Sequence, residues 1–131
     1  MNVFDASALL AFLQGETGAA DVEGALQAGG CCGAANWSEV AQKVRAHGRS
    51  WTLARSLVAS YGVLIEPVTE ADAEWAAGRW APGDGLSLAD RLCLALGERL
   101  DAVVWTADAS WGTGGRLRQV RPPIGGRGPL N

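Results

Sequence analysis

The sequence predicts an α/β fold with a parallel sheet covered by helices on both faces. Short apolar segments alternate with longer segments of helical periodicity along the chain, the order that places crossover helices between parallel strands. The first four strand segments are largely apolar and do not alternate with polar residues, as expected of strands buried on both faces. The 131 residues are 48% apolar and 19% charged, which suits one domain with a real core and neither disorder nor a supercharged surface.

Residues 1–5 are expected as a short strand, 6–13 as a helix and 18–28 as a second helix. A small-residue strand at about 30–35 leads into a helix at 37–47, where Trp37, Val40, Ala41 and Val44 follow i, i+3, i+4, i+7 spacing. Leu53, Ala54, Leu57, Val58 and Tyr61 mark the next helix. "GVLIEP" reads as a strand stopped by Pro67, and Thr69 opens a helix to about Arg79. Pro82-Gly83-Asp84-Gly85 is a loop that includes Asp84, Ser87–Leu100 is a strongly apolar helix, and 102–106 is a strand. A last short strand is expected around 118–121.

No apolar run reaches bilayer length. Met1 leads straight into an apolar segment without a basic leader, so a cytoplasmic protein with no membrane contact is expected. Cys31, Cys32 and Cys93 lie in apolar stretches without zinc-ligand spacing and read as buried free thiols. The net charge of −3 is unevenly spread: residues 1–108 hold all 14 acids and 7 of the 11 basic residues. Residues 109–131 hold Arg116, Arg118, Arg121 and Arg127 and no acid. An acidic body with a basic end suits local contact with a polyanion once the acids are shielded or metal-loaded. The ending "RPPIGGRGPLN" predicts a flexible tail from about residue 122 on a single domain spanning 1–131.

In a parallel sheet all strands end at one edge, where open α/β sheets place their ligands. Asp5 ends the first strand, and Asp108 lies just past the strand ending at Thr106. Glu39 is expected in the first turn of the helix after the 30–35 strand, and Asp90 in the first turn of the helix before the 102–106 strand. All four carboxylates therefore fall at the carboxyl edge. Asp101 and Glu98 fall at the opposite edge, whereas Asp72 is expected at the carboxyl edge, so only lateral strand order excludes it. Two of the four acids have a competing explanation. Ser87-x-x-Asp90 and Asn36-x-x-Glu39 both resemble helix N-terminal caps. Glu39 also precedes Lys43 by four residues, the spacing of a surface ion pair. Asp5 and Asp108 have less structural excuse, since each ends an apolar strand and opens an Asp-Ala-Ser tripeptide.

Four clustered carboxylates cannot all stay ionised in a partly dry cleft without a cation. Oxygen donors with no Cys or His at ligand spacing favour magnesium, or manganese, over zinc. Phosphodiester hydrolysis is the chemistry that most needs such a set. The single histidine, His47, is placed at a helix end far from the acids, which argues against a histidine-driven ribonuclease. The single lysine, Lys43, is inside a helix and not at a strand end, which argues against a phospho-receiver module.

Four segments in order, "VFDASALLAFL", "NWSEV", "LSLADRLCLALG" and "VVWTAD", resemble the PIN-domain nucleases, and most closely the VapC-type toxins of toxin–antitoxin pairs. The resemblance runs from Asn2 to about Arg121. It implies a three-layer α/β/α sandwich with a parallel sheet of four to five strands. It implies an Mg(2+)-dependent ribonuclease, Mn(2+) being the alternative ion, whose catalytic and metal-binding acids are Asp5, Glu39, Asp90 and Asp108. Ser7 and Thr106 match the supporting hydroxyl positions, and the family's strand order removes Asp72 from the site. The small-residue strand "GGCCGAAN" departs from the family's usual composition, which leaves its ends the least fixed.

The partners implied are an RNA substrate, a cognate antitoxin that holds the toxin inactive, and a second copy in a homodimer. Arg91, Arg116 and Arg118 are expected to contact RNA phosphates; the six tryptophans read mostly as core, Trp111 being the one best placed to approach a base. Ala8, Leu9, Phe12 and Leu13 on the first helix, with the apolar residues of the helix at 53–61, are candidates for the antitoxin groove and the dimer contact. The alternatives are a PIN-domain nuclease that processes RNA without an antitoxin and a non-catalytic RNA-binding module.

Overall fold

The computed structural model describes residues 1–120; Arg121, Arg127 and the rest of the expected tail lie outside the described residues. The chain runs β1 (Asn2–Phe4), α1 (Ala6–Leu13), α2 (Ala19–Gln27), β2 (Cys31–Gly33), α3 (Ala34–Ala46) and α4 (Trp51–Ser60). It continues through β3 (Leu64–Glu66), α5 (Glu70–Arg79), α6 (Leu88–Leu100), β4 (Val103–Thr106), a 3-10 turn (Ala109–Trp111) and β5 (Leu117–Gln119). The five strands form one parallel sheet in the order β3-β2-β1-β4-β5. β1 is the central strand, so its carboxyl end opens at the middle of the functional edge.

Alternation along β1 and β4 divides the core between the two faces of the sheet. Phe4, Leu9, Val22, Leu26, Val40 and Val58 pack together on the face covered by α1 to α4, with Trp105 against them. Val3, Cys31, Cys93, Leu96 and Val104 pack on the face covered by α6, and α5 lies alongside α6. This is the three-layer α/β/α sandwich. The three cysteines are buried and free, and burial pushes all three thiols up, away from reactivity.

The largest boundary difference from expectation is at the start of α3, while β5 runs Leu117–Gln119 against the expected 118–121. α3 begins at Ala34, three residues before Trp37, and the strand before it stops at Gly33. Gly33 is the N-cap, with extended φ −68° and ψ 149°, and two alanines follow it as strong helix formers. Asn36 is therefore inside the first turn and is not a cap, and Glu39 moves into the second turn.

Gly97 marks the closest approach of α6 to the sheet, because a Cβ there would run into the Val104 side chain. Gly97→Ala should therefore destabilise the fold by about 1–2 kcal/mol, overpacking outweighing the gain in helix propensity. Gly24, on the exposed face of α2, has nothing within 4 Å of such an atom. Gly24→Ala should stabilise by about 0.5–1 kcal/mol. Urea unfolding of the two variants should give midpoint shifts of opposite sign.

Candidate active site

The site is built outward from Asp5, which ends β1 and is only 3% exposed. Its main-chain N–H still belongs to the sheet, donating to the Trp105 carbonyl at 3.0 Å. Its side chain caps α1, with Oδ1 accepting the Ala8 N–H at 2.7 Å. Ser7 Oγ donates to the carboxylate, 2.8 Å from Oδ1 and 2.9 Å from Oδ2, and Thr106 Oγ1 donates to Oδ2. Those hydroxyls are held in turn by the end of β4. The Ala107 N–H donates to Ser7 Oγ at 2.8 Å and the Asp108 N–H donates to Thr106 Oγ1 at 3.0 Å. The two segments "DAS" and "TAD" are thus locked to each other. Burial raises the Asp5 carboxyl to about 6, opposed by the bonds from Thr106, Ala8 and Ser7 and assisted by the charge of Asp90.

Glu39 is half-buried on α3. Asn36, one turn earlier and 1% exposed, donates through Nδ2 to Glu39 Oε1 at 3.4 Å and to the Ala89 carbonyl of α6 at 3.2 Å. Asn36 thereby ties Glu39 to the helix that carries Asp90. Burial raises the Glu39 carboxyl, the Asn36 bond opposes this, the Asp90 charge adds to it and the Lys43 charge subtracts.

Asp90 is the third residue of α6 and completes a capping box: its N–H donates to Ser87 Oγ and the Ser87 N–H donates to its Oδ2, both at 3.0 Å. Asp108 is exposed and caps the 3-10 turn, Oδ1 accepting the Ser110 N–H at 2.9 Å and the Ser110 hydroxyl at 2.6 Å. The four carboxylates, with Ala6, Ser7, Leu10, Asn36 and Lys43, line one open cleft of about 250 Å³.

No group of three such side chains is gathered at ion-binding spacing among the described residues. The donor set nevertheless fits a hard cation. Glu39, Asp90 and Asp108 each keep one carboxylate oxygen without a hydrogen bond among the described residues. All three side chains line the cleft beside the one buried carboxylate that burial and Asp90 push toward neutrality.

The three arginines expected to contact RNA do not line this cleft. Arg116 pairs with Glu98 at 3.1 Å and Asp101 at 2.7 Å. β5 runs parallel to β4, so the residue just before it must stand at the amino edge, far from Asp108, despite its nearness in sequence. Arg118 is exposed on β5, level with Trp105, and outside the cleft lining. Arg91 turns toward α5, Nη1 donating to the Ala76 carbonyl at 2.7 Å. Asp72 also departs from expectation. It lies against the last turn of α6, gripped by Arg99 at 2.9 and 3.1 Å, and caps α5 with Thr69. It is excluded from the site by this pairing as well as by strand order. Asp84 is a loop residue paired with Arg79. The cleft residues missed by sequence reasoning are Asn36 as the tether of Glu39 and Lys43 as the local cation. Their positions, three before and four after Glu39, put all three on one helix face.

A family model described as the PIN domain matches residues 3–112, a span that contains all four acids. A solved structure described as a toxin–antitoxin complex from Klebsiella pneumoniae is similar at a TM-score of 0.73 and 16% sequence identity. That alignment covers 92% of this chain and 98% of the other, and at such identity the likeness is one of fold. No curated protein sequence matches the chain.

The Asp5 carboxyl gives a signed pH dependence. It titrates at about 6 when folded and at about 3.9 when unfolded. Between those values the folded chain keeps a proton that the unfolded chain has lost. The resulting stability is fully present below pH 4 and is lost as pH rises through 6, a total of about 3 kcal/mol. Asp5→Asn cannot titrate. With chelator present, the unfolding free energy of Asp5→Asn relative to the unsubstituted chain should rise by about that amount between pH 4 and pH 7. A difference that stays flat across this range would show that Asp5 is not desolvated as described.

Proposed function

The chain belongs to the PIN-domain family, and from that premise we propose that it is a divalent-metal-dependent endoribonuclease acting as the toxin of a toxin–antitoxin pair. The observation that carries the reading is the convergence of Asp5, Glu39, Asp90 and Asp108 on one cleft at the carboxyl edge. These four would hold Mg(2+), or Mn(2+). When bound, the ion supplies a Lewis acid that lowers the pKa of water and stabilises the leaving oxygen of a phosphodiester.

The rest falls to the chain's own residues. Ser7 and Thr106 fix the plane of the Asp5 carboxylate, and Asn36 fixes Glu39 relative to α6. Lys43, the basic residue that lines the cleft, would add to the attraction for phosphate expected of Arg91, Arg116 and Arg118. An antitoxin partner is supported by the fold likeness to a toxin–antitoxin complex and by an apolar groove. Leu13, Val44, Leu53, Ala54 and Leu57 line that groove of about 290 Å³, and Leu53 is 72% exposed. A partner helix with a matching apolar face would cover it. Exposed Leu64 and Ile65 on the edge strand β3 are the surface we assign to a homodimer contact.

RNA cleavage should require added Mg(2+) or Mn(2+) and stop with chelator. Asp5→Asn and Asp90→Asn should each lower it by more than about 100-fold, beyond what loss of a neighbouring support costs, with the circular dichroism spectrum unchanged. Thr106→Val, which removes only a support of Asp5, should cost about 10–100-fold. Near-normal cleavage by folded Asp5→Asn would refute the assignment.

Mg(2+) should also raise the melting temperature with concentration, reaching about 2.7 kcal/mol of stabilisation at a hundredfold excess over its dissociation constant. Asp108→Asn should flatten that response. A melting curve indifferent to the ion would leave these acids as helix caps alone.

A further inference from the structure

A second, larger cavity of about 540 Å³ lies between α5, α6 and the 3-10 turn. We propose that it is a nucleobase pocket that takes one base of the RNA strand whose phosphate lies in the carboxylate cleft, an inference that rests on the nuclease reading. Its volume is within the range of small-ligand sites. Two tryptophans line it: Trp75 from α5, 37% exposed, and half-buried Trp111 from the 3-10 turn. Leu94 of α6 and Leu117 of β5 contribute apolar surface.

Three of the other four tryptophans have local partners, and Trp80 is 58% exposed. Trp37 and Trp51 pack ring against ring at 4.8 Å, and Trp105 Nε1 donates to Asn2 Oδ1 at 3.0 Å. Trp75 makes no ring contact or hydrogen bond among the described residues. The Trp111 Nε1 is buried and also lacks a hydrogen bond there. Structural packing leaves that donor uncompensated.

Charge separates this cavity from the cleft. Its charged groups cancel in pairs, Arg79 with Asp84 at 3.3 Å and Arg116 with Glu98 at 3.1 Å. A neutral aromatic cavity rimmed by guanidinium donors and carboxylate acceptors suits the uncharged ring of a base, with its faces for stacking and its edge for hydrogen bonds. It does not suit a phosphate. The two cavities are also adjacent. Ser110 lines this one and donates through Oγ to Asp108 Oδ1, and Asp108 lines the cleft. Asp108 is the N-cap of the 3-10 turn that carries Ser110 and Trp111, so this hydrogen bond links the two linings.

The test uses the full chain in chelator, with the four nucleoside 5′-monophosphates as probes and ribose 5-phosphate as the control without a base. The indole N–H resonances of Trp75 and Trp111, assigned with Trp75→Phe and Trp111→Phe, report occupancy. The nucleotides should shift both resonances, at least one nucleotide more strongly than the rest, and ribose 5-phosphate should shift neither. Trp75→Ala should weaken nucleotide binding by about 10-fold or more, and Trp75→Phe should restore most of it. With cleavable RNA, Trp75→Ala should raise KM at unchanged kcat and flatten the preference among cut sites. Equal shifts from ribose 5-phosphate, or unchanged binding by folded Trp75→Ala, would overturn the proposal. So would shifts from N-acetyltryptophanamide but from no nucleotide, which would make this a protein-docking pocket. Base-dependent shifts in a chain that never cleaves RNA would sustain the pocket while refuting the nuclease reading, so the two failures are distinguishable.

Discussion

The rest of the structure depends on burying one carboxylate at the end of the central strand. Asp5 is withdrawn from water where β1, α1 and the end of β4 meet. A carboxylate there costs free energy unless donors surround it. The Ala8 N–H, Ser7 Oγ and Thr106 Oγ1 supply them. Each donor also fixes an element. The Ala8 bond starts α1, and the two hydroxyls draw in the main chain after β4 through the N–H groups of Ala107 and Asp108. The compensation stops short of complete, since the carboxyl still titrates near 6. That unrelieved cost is what a cation in the cleft would relieve, and it is the sense in which the fold is strained toward its function.

Capping and ligation are compatible roles in this site. Asp5 caps α1, Asp90 caps α6 and Asp108 caps the 3-10 turn. A cap needs one carboxylate oxygen, and Asp90 and Asp108 each keep the second without a hydrogen bond among the described residues. The caps also bring helix N-termini to the cleft, whose partial positive charge offsets repulsion among the acids. Glu39 is the exception. It lies in the second turn of α3, beyond the reach of a cap, and needs Asn36 to hold it.

Topology made the acids legible in sequence: strands in one direction must end together, and a helix that precedes a strand must begin where strands end. That argument put Asp5, Glu39, Asp90 and Asp108 at one edge together with Asp72, which only the family resemblance set aside, and even the three-residue error at the start of α3 left Glu39 among them. The same logic, carried one step further, would have placed Arg116 correctly. A parallel β5 forces the chain back across the sheet, so the residue before Leu117 stands among Glu98 and Asp101. Asp72 was misplaced for a related reason: α5 packs against α6 with its first turn beside Arg99, and no local pattern reveals which helix end a neighbour covers. Asn36 was visible but misread, because a polar residue three before a glutamate carries the same signature inside a first turn as at a cap.

If the chain binds RNA as proposed, the neutral tryptophan cavity and the anionic cleft would divide the work of holding one polymer. Phosphate affinity in the cleft depends on Lys43 and on any bound cation, and it weakens as salt rises. Stacking between aromatic walls carries no counterion release and persists when that attraction is screened. A chain with net charge −3 cannot rely on long-range attraction to RNA, because its body repels the polymer as strongly as its few cations attract it. A short-range, uncharged grip placed one turn from Asp108 resolves that conflict. In the proposed reading it would bring the strand to the acids by base contacts first and leave the charged cleft to the single phosphate that must react.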